Sequence, residues 1–293
     1  MTPSHFFATE SQRRHPRNSV EAGELELNQD IQITLVLRRK QDTPTPASIE
    51  RHLSHHELTA LHGADSNDIA VVESFAREHQ LSIARVHQGA RTVEVVGSLG
   101  KLMKLFRADL RLSAVGSDLY RTQKGSSEIP ESLAGVVVAV LGFDERPVAT
   151  KDRKSQKHVS TSTAFTPIEI ARLYNFPTNN GAGQTIALIE LGGGYRDSDL
   201  QTYWKQLGIG EVAVTAIAVD GTENAPSGDP DSADGEVVLD IEVAGAVAPG
   251  SNIAVYFAPN TDAGFLAAIN NAIHDEVRRP SVISISWGSP ESA

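Results

Sequence analysis

The chain contains no cysteine, only two methionines and two tryptophans, and aromatic residues make up 5% of its 293 positions. Without cysteine there is neither a disulfide nor a thiolate zinc site, so the fold must stand on packing alone. No apolar run approaches the ~20 residues that a membrane-spanning helix needs. The opening residues, Met1 to Ala8, lack a basic head followed by a long apolar core, so an ordinary signal peptide is not expected there. Positive charge is also scarce, and unevenly so. The net charge is −11, yet from residue 159 onward five Lys/Arg stand against seventeen Asp/Glu, a net of −12, while residues 1–158 come to +1. The acidic half is a poor candidate for nucleic acid. Length and charge asymmetry together argue for two domains with different tasks.

Residues 1–29 are polar and mixed, and read as a loosely ordered arm. Alternation and β-branching make Ile31–Leu37 a strand. The Thr43-Pro44-Thr45-Pro46 break leads to a helical stretch from about Ser48 to Leu61. A second helix, capped within Asp65-Ser66-Asn67-Asp68, has the apolar face Ile69, Val72, Phe75 and Ala76. Strands near 82–86 and 92–96, a helix with Leu99, Leu102 and Phe106, a strand near 110–114 and a closing apolar segment 136–141 follow. The order β-α-β-β-α-β predicts a small α+β ferredoxin-like domain over residues 30–147. Within it, His55-His56-Glu57-Leu58-Thr59-Ala60-Leu61-His62 lacks the His-Glu-x-x-His spacing of zinc peptidases, because position 60 is Ala. Surface histidines are the expectation, not a metal site.

Residues 144–158 are charged and without apolar periodicity, and Arg146, Lys151, Arg153, Lys154 and Lys157 outnumber the acids there. This reads as an exposed, easily cut linker, placed with its processing region at 148–165, that delivers basic charge to an acidic domain. From residue 166 the pattern becomes α/β. Thr185–Ile189 is a continuous apolar run typical of a buried parallel strand. It ends at Glu190 and turns through Gly192-Gly193-Gly194. A helix, a strand at 212–219, a Gly/Pro/Asp loop at 221–235, a central helix, a strand at 253–257, a helix at about 262–277 and a strand at 282–286 follow. Such alternation gives a parallel sheet with helices on both faces, and function collects at the carboxyl ends of its strands. The glycines do not have phosphate-loop spacing, and Glu190 and Asp197 would repel phosphate. Asp229–Gly235 is calcium-loop-like only in part, since Pro230 and the late third acid break the pattern, and a turn capping the next helix is expected.

That next helix, Asp234 to Val247 and ending at Pro249-Gly250, organises the rest. Asp234 or Ser232 can cap it. Glu236 and Asp240 stand four apart on one face, their Cβ atoms about 5–6 Å apart, whereas Glu242 lies about 240° round from Glu236. Two negative charges about 5 Å apart repel by roughly 3 kcal/mol at an effective dielectric near 20, so one carboxyl should keep its proton while the other ionises. Such a pair titrates jointly and is suited to proton transfer under acidic conditions. A solvated helix face is the rival reading, and on the residues alone the two stand level. Trp287, closing the strand Ser284-Ile285-Ser286-Trp287-Gly288, can pack as a pocket wall or donate its indole N–H.

The stretches Ile186–Tyr195 (IALIELGGGY), Asp234–Pro249 (DGEVVLDIEVAGAVAP), Ile253–Phe265 (IAVYFAPNTDAGF) and Ser284–Gly288 (SISWG) resemble the sedolisins, or serine-carboxyl peptidases. Residues 30–147 resemble that family's activation domain. The resemblance implies a subtilisin-like catalytic fold, incomplete over residues 166–293. It also implies an acid-acting serine endopeptidase made as an inactive precursor and acting outside the cell. Glu236 would be the general base toward a serine, Asp240 would orient it, and Glu190, linked to Trp287, would extend the network. Protein or peptide substrates and the chain's own prodomain, as an intramolecular inhibitor, would be its partners; nucleic acid and membrane would not. The family's serine motif, its oxyanion aspartate and its Ca2+ site have no counterpart here. Nucleophile and Ca2+ are therefore expected beyond residue 293, in a segment that is either a second chain or absent.

Two rivals remain. In one, the chain is a catalytically inactive fragment whose prodomain serves as an inhibitor or folding aid. In the other, the acids form a glycosidase pair, but such carboxyls normally face each other from different elements across a cleft.

Overall fold

The computed structural model of the chain describes residues 6–7, 20–43, 45, 51–115, 117–151 and 165–289. Most of the expected N-terminal arm and residues 152–164 of the expected processing region lie outside these. Two compact units emerge, residues 1–146 with 261–263, and residues 147–260 with 264–293.

In the first unit four strands form an antiparallel sheet in the spatial order Ser82–His87, Thr92–Ser98, Asp30–Leu37, Val137–Leu141. Helices Ser66–Glu78 and Leu99–Leu105 fill the connections after its first and third strands in chain order. Alternation along Asp30–Leu37 sends Ile31, Ile33, Leu35 and Leu37 into one core with Val72, Phe75, Leu102 and Phe106. Asp65 caps the longer helix, its carboxylate accepting from Asn67 N. The helix expected from Ser48 is His55–His62, closed by a Ser54/Glu57 capping box and with no buried residue. Its histidines join no metal-holding group among the described residues. A second sheet combines Val20–Glu21, Asp109–Val115 and Asp118–Lys124. Its last strand has no counterpart in the sequence reading.

The second unit carries a four-stranded sheet, parallel throughout, ordered Ala213–Ala218, Asn252–Phe257, Thr185–Glu190, Val282–Ile285. Successive residues of its strands feed two cores. Ala187, Ile189, Ala254 and Tyr256 pack on one face with Ala268 and Ala272 of helix Asp262–Ile273. Leu188, Val255 and Phe257 pack on the other with Leu200 and Trp204 of helix Asp197–Leu207 and Val237 and Ile241 of helix Asp234–Val247. Both faces are covered, which is why these strands read as unbroken apolar runs. A Cβ built at Gly245 would stand 2.6 Å from Trp204, so glycine there lets the two helices close on each other.

One expectation is corrected. Residues 144–149 are not exposed throughout, as expected of a linker: Asp144, Arg146 and Ala149 are 3%, 8% and 4% exposed. Asp144 and Arg146 form a buried ion pair, with Nη2 to Oδ2 at 2.6 Å, within the first unit. The charges of Asp144 and Arg146 are therefore spent on each other and not on solvent.

Candidate active site

The site lies where the carboxyl ends of Thr185–Glu190 and Val282–Ile285 meet the helix Asp234–Val247. Glu190 is the last residue of its strand and is 0% exposed. Its Oε2 accepts from Trp287 Nε1 at 2.9 Å, while Oε1 is buried with no hydrogen-bond partner among the described residues. Burial pushes its carboxyl up to about 8. The indole hydrogen bond opposes that rise, and the charges of Asp240 and Glu236 add to it. A glutamic acid with that affinity holds its proton at neutral pH.

Glu236, in the first turn of the helix, is 3% exposed. Asp240, one turn later, is half-buried: Oδ1 accepts from Ser286 Oγ at 2.9 Å, and Oδ2 is buried without a hydrogen bond among the described residues. Burial raises the Asp240 pKa and the Ser286 hydroxyl opposes the rise. Three carboxyls thus share one enclosed site with an indole and a hydroxyl as donors, and among the described residues no ion pair reaches Glu190 or Asp240. Acids so placed lower the cost of burial by sharing protons. Glu242 is apart from them. It lines a cleft of about 390 Å3 with Tyr195, Arg196, Asp199 and Leu239. Burial, and then the nearby charge of Asp199, push it to about 7.

The glycine turn after Glu190 is held from behind. Gly192 and Gly193 have φ of +107° and +74°, and a Cβ at Gly193 would stand 2.7 Å from the Ala233 carbonyl carbon. Asp234 does not cap its helix in the expected way; the N-cap is Ala233, without a side-chain cap bond. Its buried carboxylate instead turns back to accept from Gly194 N (3.0 Å), Ser227 Oγ (2.8 Å) and Gly228 N (2.8 Å). Asn224 closes the clasp, accepting from Tyr195 N at 2.8 Å and donating to Tyr195 O at 3.1 Å. The 229–235 segment is a turn whose carboxylates bind backbone amides, Asp229 Oδ1 accepting from Asp231 N at 2.9 Å. The described residues contain no cluster suited to a metal ion.

The start of the second unit borders the same site. Asn260 Oδ1 accepts from Val148 N and Ala149 N at 3.0 and 3.1 Å, and its Nδ2 donates to Ala149 O at 2.8 Å. Thr150–Lys151 then pairs antiparallel with Trp287–Gly288. Sequence reasoning named Glu190, Glu236, Asp240 and Trp287. It missed Ser286, Asn224, Asn260 and the clasp role of Asp234.

Residues 17–146 match the family model described as Pro-kumamolisin, activation domain. The chain belongs to the sedolisin family of peptidases. Within that family it is kumamolisin-like: it is 41% identical over 302 residues to kumamolisin of Bacillus sp. (strain MN-32), covering 96% of this chain and 55% of that protein. Tripeptidyl-peptidase sed5 of Aspergillus fumigatus is 25% identical over 317 residues, covering 94% of this chain and 54% of that protein. The chain therefore spans about half the length of the curated relatives it matches. A solved Pseudomonas sedolisin (serine-carboxyl proteinase), complexed with two molecules of pseudo-iodotyrostatin, aligns with 42% of this chain and 35% of its own. It does so at 25% identity and a TM-score of 0.34, too low to argue from.

Proposed function

We propose that this chain is the precursor portion of an acid-acting serine-carboxyl endopeptidase. The carrying observation is the enclosed set Glu190, Glu236 and Asp240, with Trp287 and Ser286 donating into it. In this reading Glu236 takes the proton of a serine hydroxyl as its oxygen attacks the peptide carbonyl carbon, then returns it to the departing amine. The serine lies in the part of the protein outside this chain, as does the family's Ca2+. Asp240 orients Glu236, and Glu190, hydrogen-bonded to Trp287, completes the network. A carboxylate base suits acid conditions, because it still accepts protons where an imidazole is already charged.

The strand orders support a subtilisin-like second unit and a ferredoxin-like activation domain. The antiparallel seat of Thr150–Lys151 on Trp287–Gly288 supports a precursor state, since an extended peptide substrate would use the same strand edge. Activation follows from removal of the activation domain, and the site of action is extracellular. The test is Glu236→Gln in the full-length protein, with self-processing followed by intact mass at pH 4. Loss of processing is expected; an unchanged rate removes Glu236 from the mechanism.

A further inference from the structure

We propose that Ser286 is a positioning residue of the acid site: by donating its hydroxyl to Asp240 Oδ1 across 2.9 Å, it orients that carboxylate and favours its ionised form. The role attributed to Asp240 rests on the peptidase reading above.

Ser286 and Trp287 are neighbours in the chain just past the end of the strand Val282–Ile285, and their side chains reach different partners. They therefore serve different acids. Trp287 donates to Glu190, on the neighbouring strand, and Ser286 to Asp240, on the helix. The terminal torsion of an aspartate is soft, so a carboxylate plane needs a partner to fix it. Ser286 occupies Oδ1, and Oδ2 is buried with no hydrogen bond among the described residues. Oδ2 is thus the oxygen left to turn toward Glu236, one helical turn earlier on the same face.

The charged groups around Asp240 give no help. Glu236 comes from its own helix, Glu190 from the strand Thr185–Glu190, and the Trp287 indole is neutral. Among the described residues no Lys, Arg or His forms an ion pair with Asp240. Burial favours the protonated form, and the Ser286 hydroxyl opposes it. Without it, Asp240 would take up a proton at higher pH and lose its hold on Glu236.

The experiment compares Ser286→Ala and Ser286→Thr by two readouts. In the present chain, carboxyl 13C NMR follows the titration of Asp240 without any need for catalysis. The Ala variant should titrate at higher pH than the parent and the Thr variant with the parent. In the full-length protein, self-processing of the Ala variant should be about fivefold slower at pH 4 and converge on the parent toward pH 6, with Thr restoring the parental profile. Should melting show that Ser286→Ala does not fold, Ser286→Cys, a much weaker donor of similar size, replaces it. An unmoved Asp240 titration, or one pH profile common to the Ala and Thr variants, overturns the proposal. If Glu236→Gln processes normally while Asp240 still shifts on loss of Ser286, the peptidase reading falls and the Ser286 contact stands.

Discussion

Trp287 Nε1 donates to Glu190 Oε2 at 2.9 Å, tying the end of the strand Thr185–Glu190 to the short strand Trp287–Gly288. That hydrogen bond favours the ionised form of Glu190, against burial and the nearby acids that favour the neutral one. Trp287→Phe keeps the ring and deletes the donor. Glu190 should then titrate above its present value of about 8. Carboxyl 13C NMR of the variant measures this, and a midpoint that falls or stays put contradicts it.

The same residue makes stability depend on pH. Glu190 ionises near 8 in the fold against 4.5 ordinarily, so the folded chain binds the extra proton between those values. The stability associated with that proton is fully present below about pH 4.5 and is lost as pH rises through 8. Asp240, also raised, acts in the same sense. The loss should amount to a few kcal/mol. Glu190→Gln cannot ionise, so its urea midpoint should fall less than the parent's between pH 5 and pH 8. A parent equally stable at both pH values rules this out.

Gly193→Ala places a methyl group against the Ala233 backbone at a residue with φ of +74°. Strain and displacement together should cost about 2–3 kcal/mol. Asp234→Ala leaves Gly194 N, Gly228 N and the Ser227 hydroxyl without their acceptor and should cost about 2–4 kcal/mol. Both changes open one clasp, so the double variant should lose less than the sum of the two, as denaturant melts at one pH would show.

Asn260→Ala removes three hydrogen bonds from the Val148–Ala149 backbone. Limited trypsin digestion should then cut after Lys151 several-fold faster, with the rest of the second unit still protected. Equal cutting rates in parent and variant mean that Asn260 does not restrain this segment.

Where apolar side chains decide the structure, it was legible in the sequence. Thr185–Glu190 and Asn252–Phe257 are strands because each alternate residue finds a core on its own side of the sheet. The Glu236–Asp240 spacing followed from helix geometry alone. Polar segments hid their structure. Asp118–Lys124 has no place among the expected strands, yet Arg121, Thr122 and Gln123 are buried because Phe143 O, Ser113 Oγ and Ser127 Oγ satisfy them. Such polar partners, four to twenty-two residues away, leave no periodic trace. Residues 144–149 misled for a related reason: the Asp144–Arg146 pair neutralises itself, and the amides of Val148 and Ala149 are held by a single asparagine more than a hundred residues away. Ser286 carries too little hydrophobicity or charge to stand out, so its partner emerged only in three dimensions.

The chain has two tryptophans. Trp204 is packed over Gly245, whereas the nitrogen of Trp287 rests directly on a carboxyl that changes charge near pH 8. Ultraviolet emission therefore holds a built-in optical gauge of the proton inventory at the carboxylate cluster. It reads out without label or substrate, and the same indole registers whether Thr150–Lys151 still lies on its backbone.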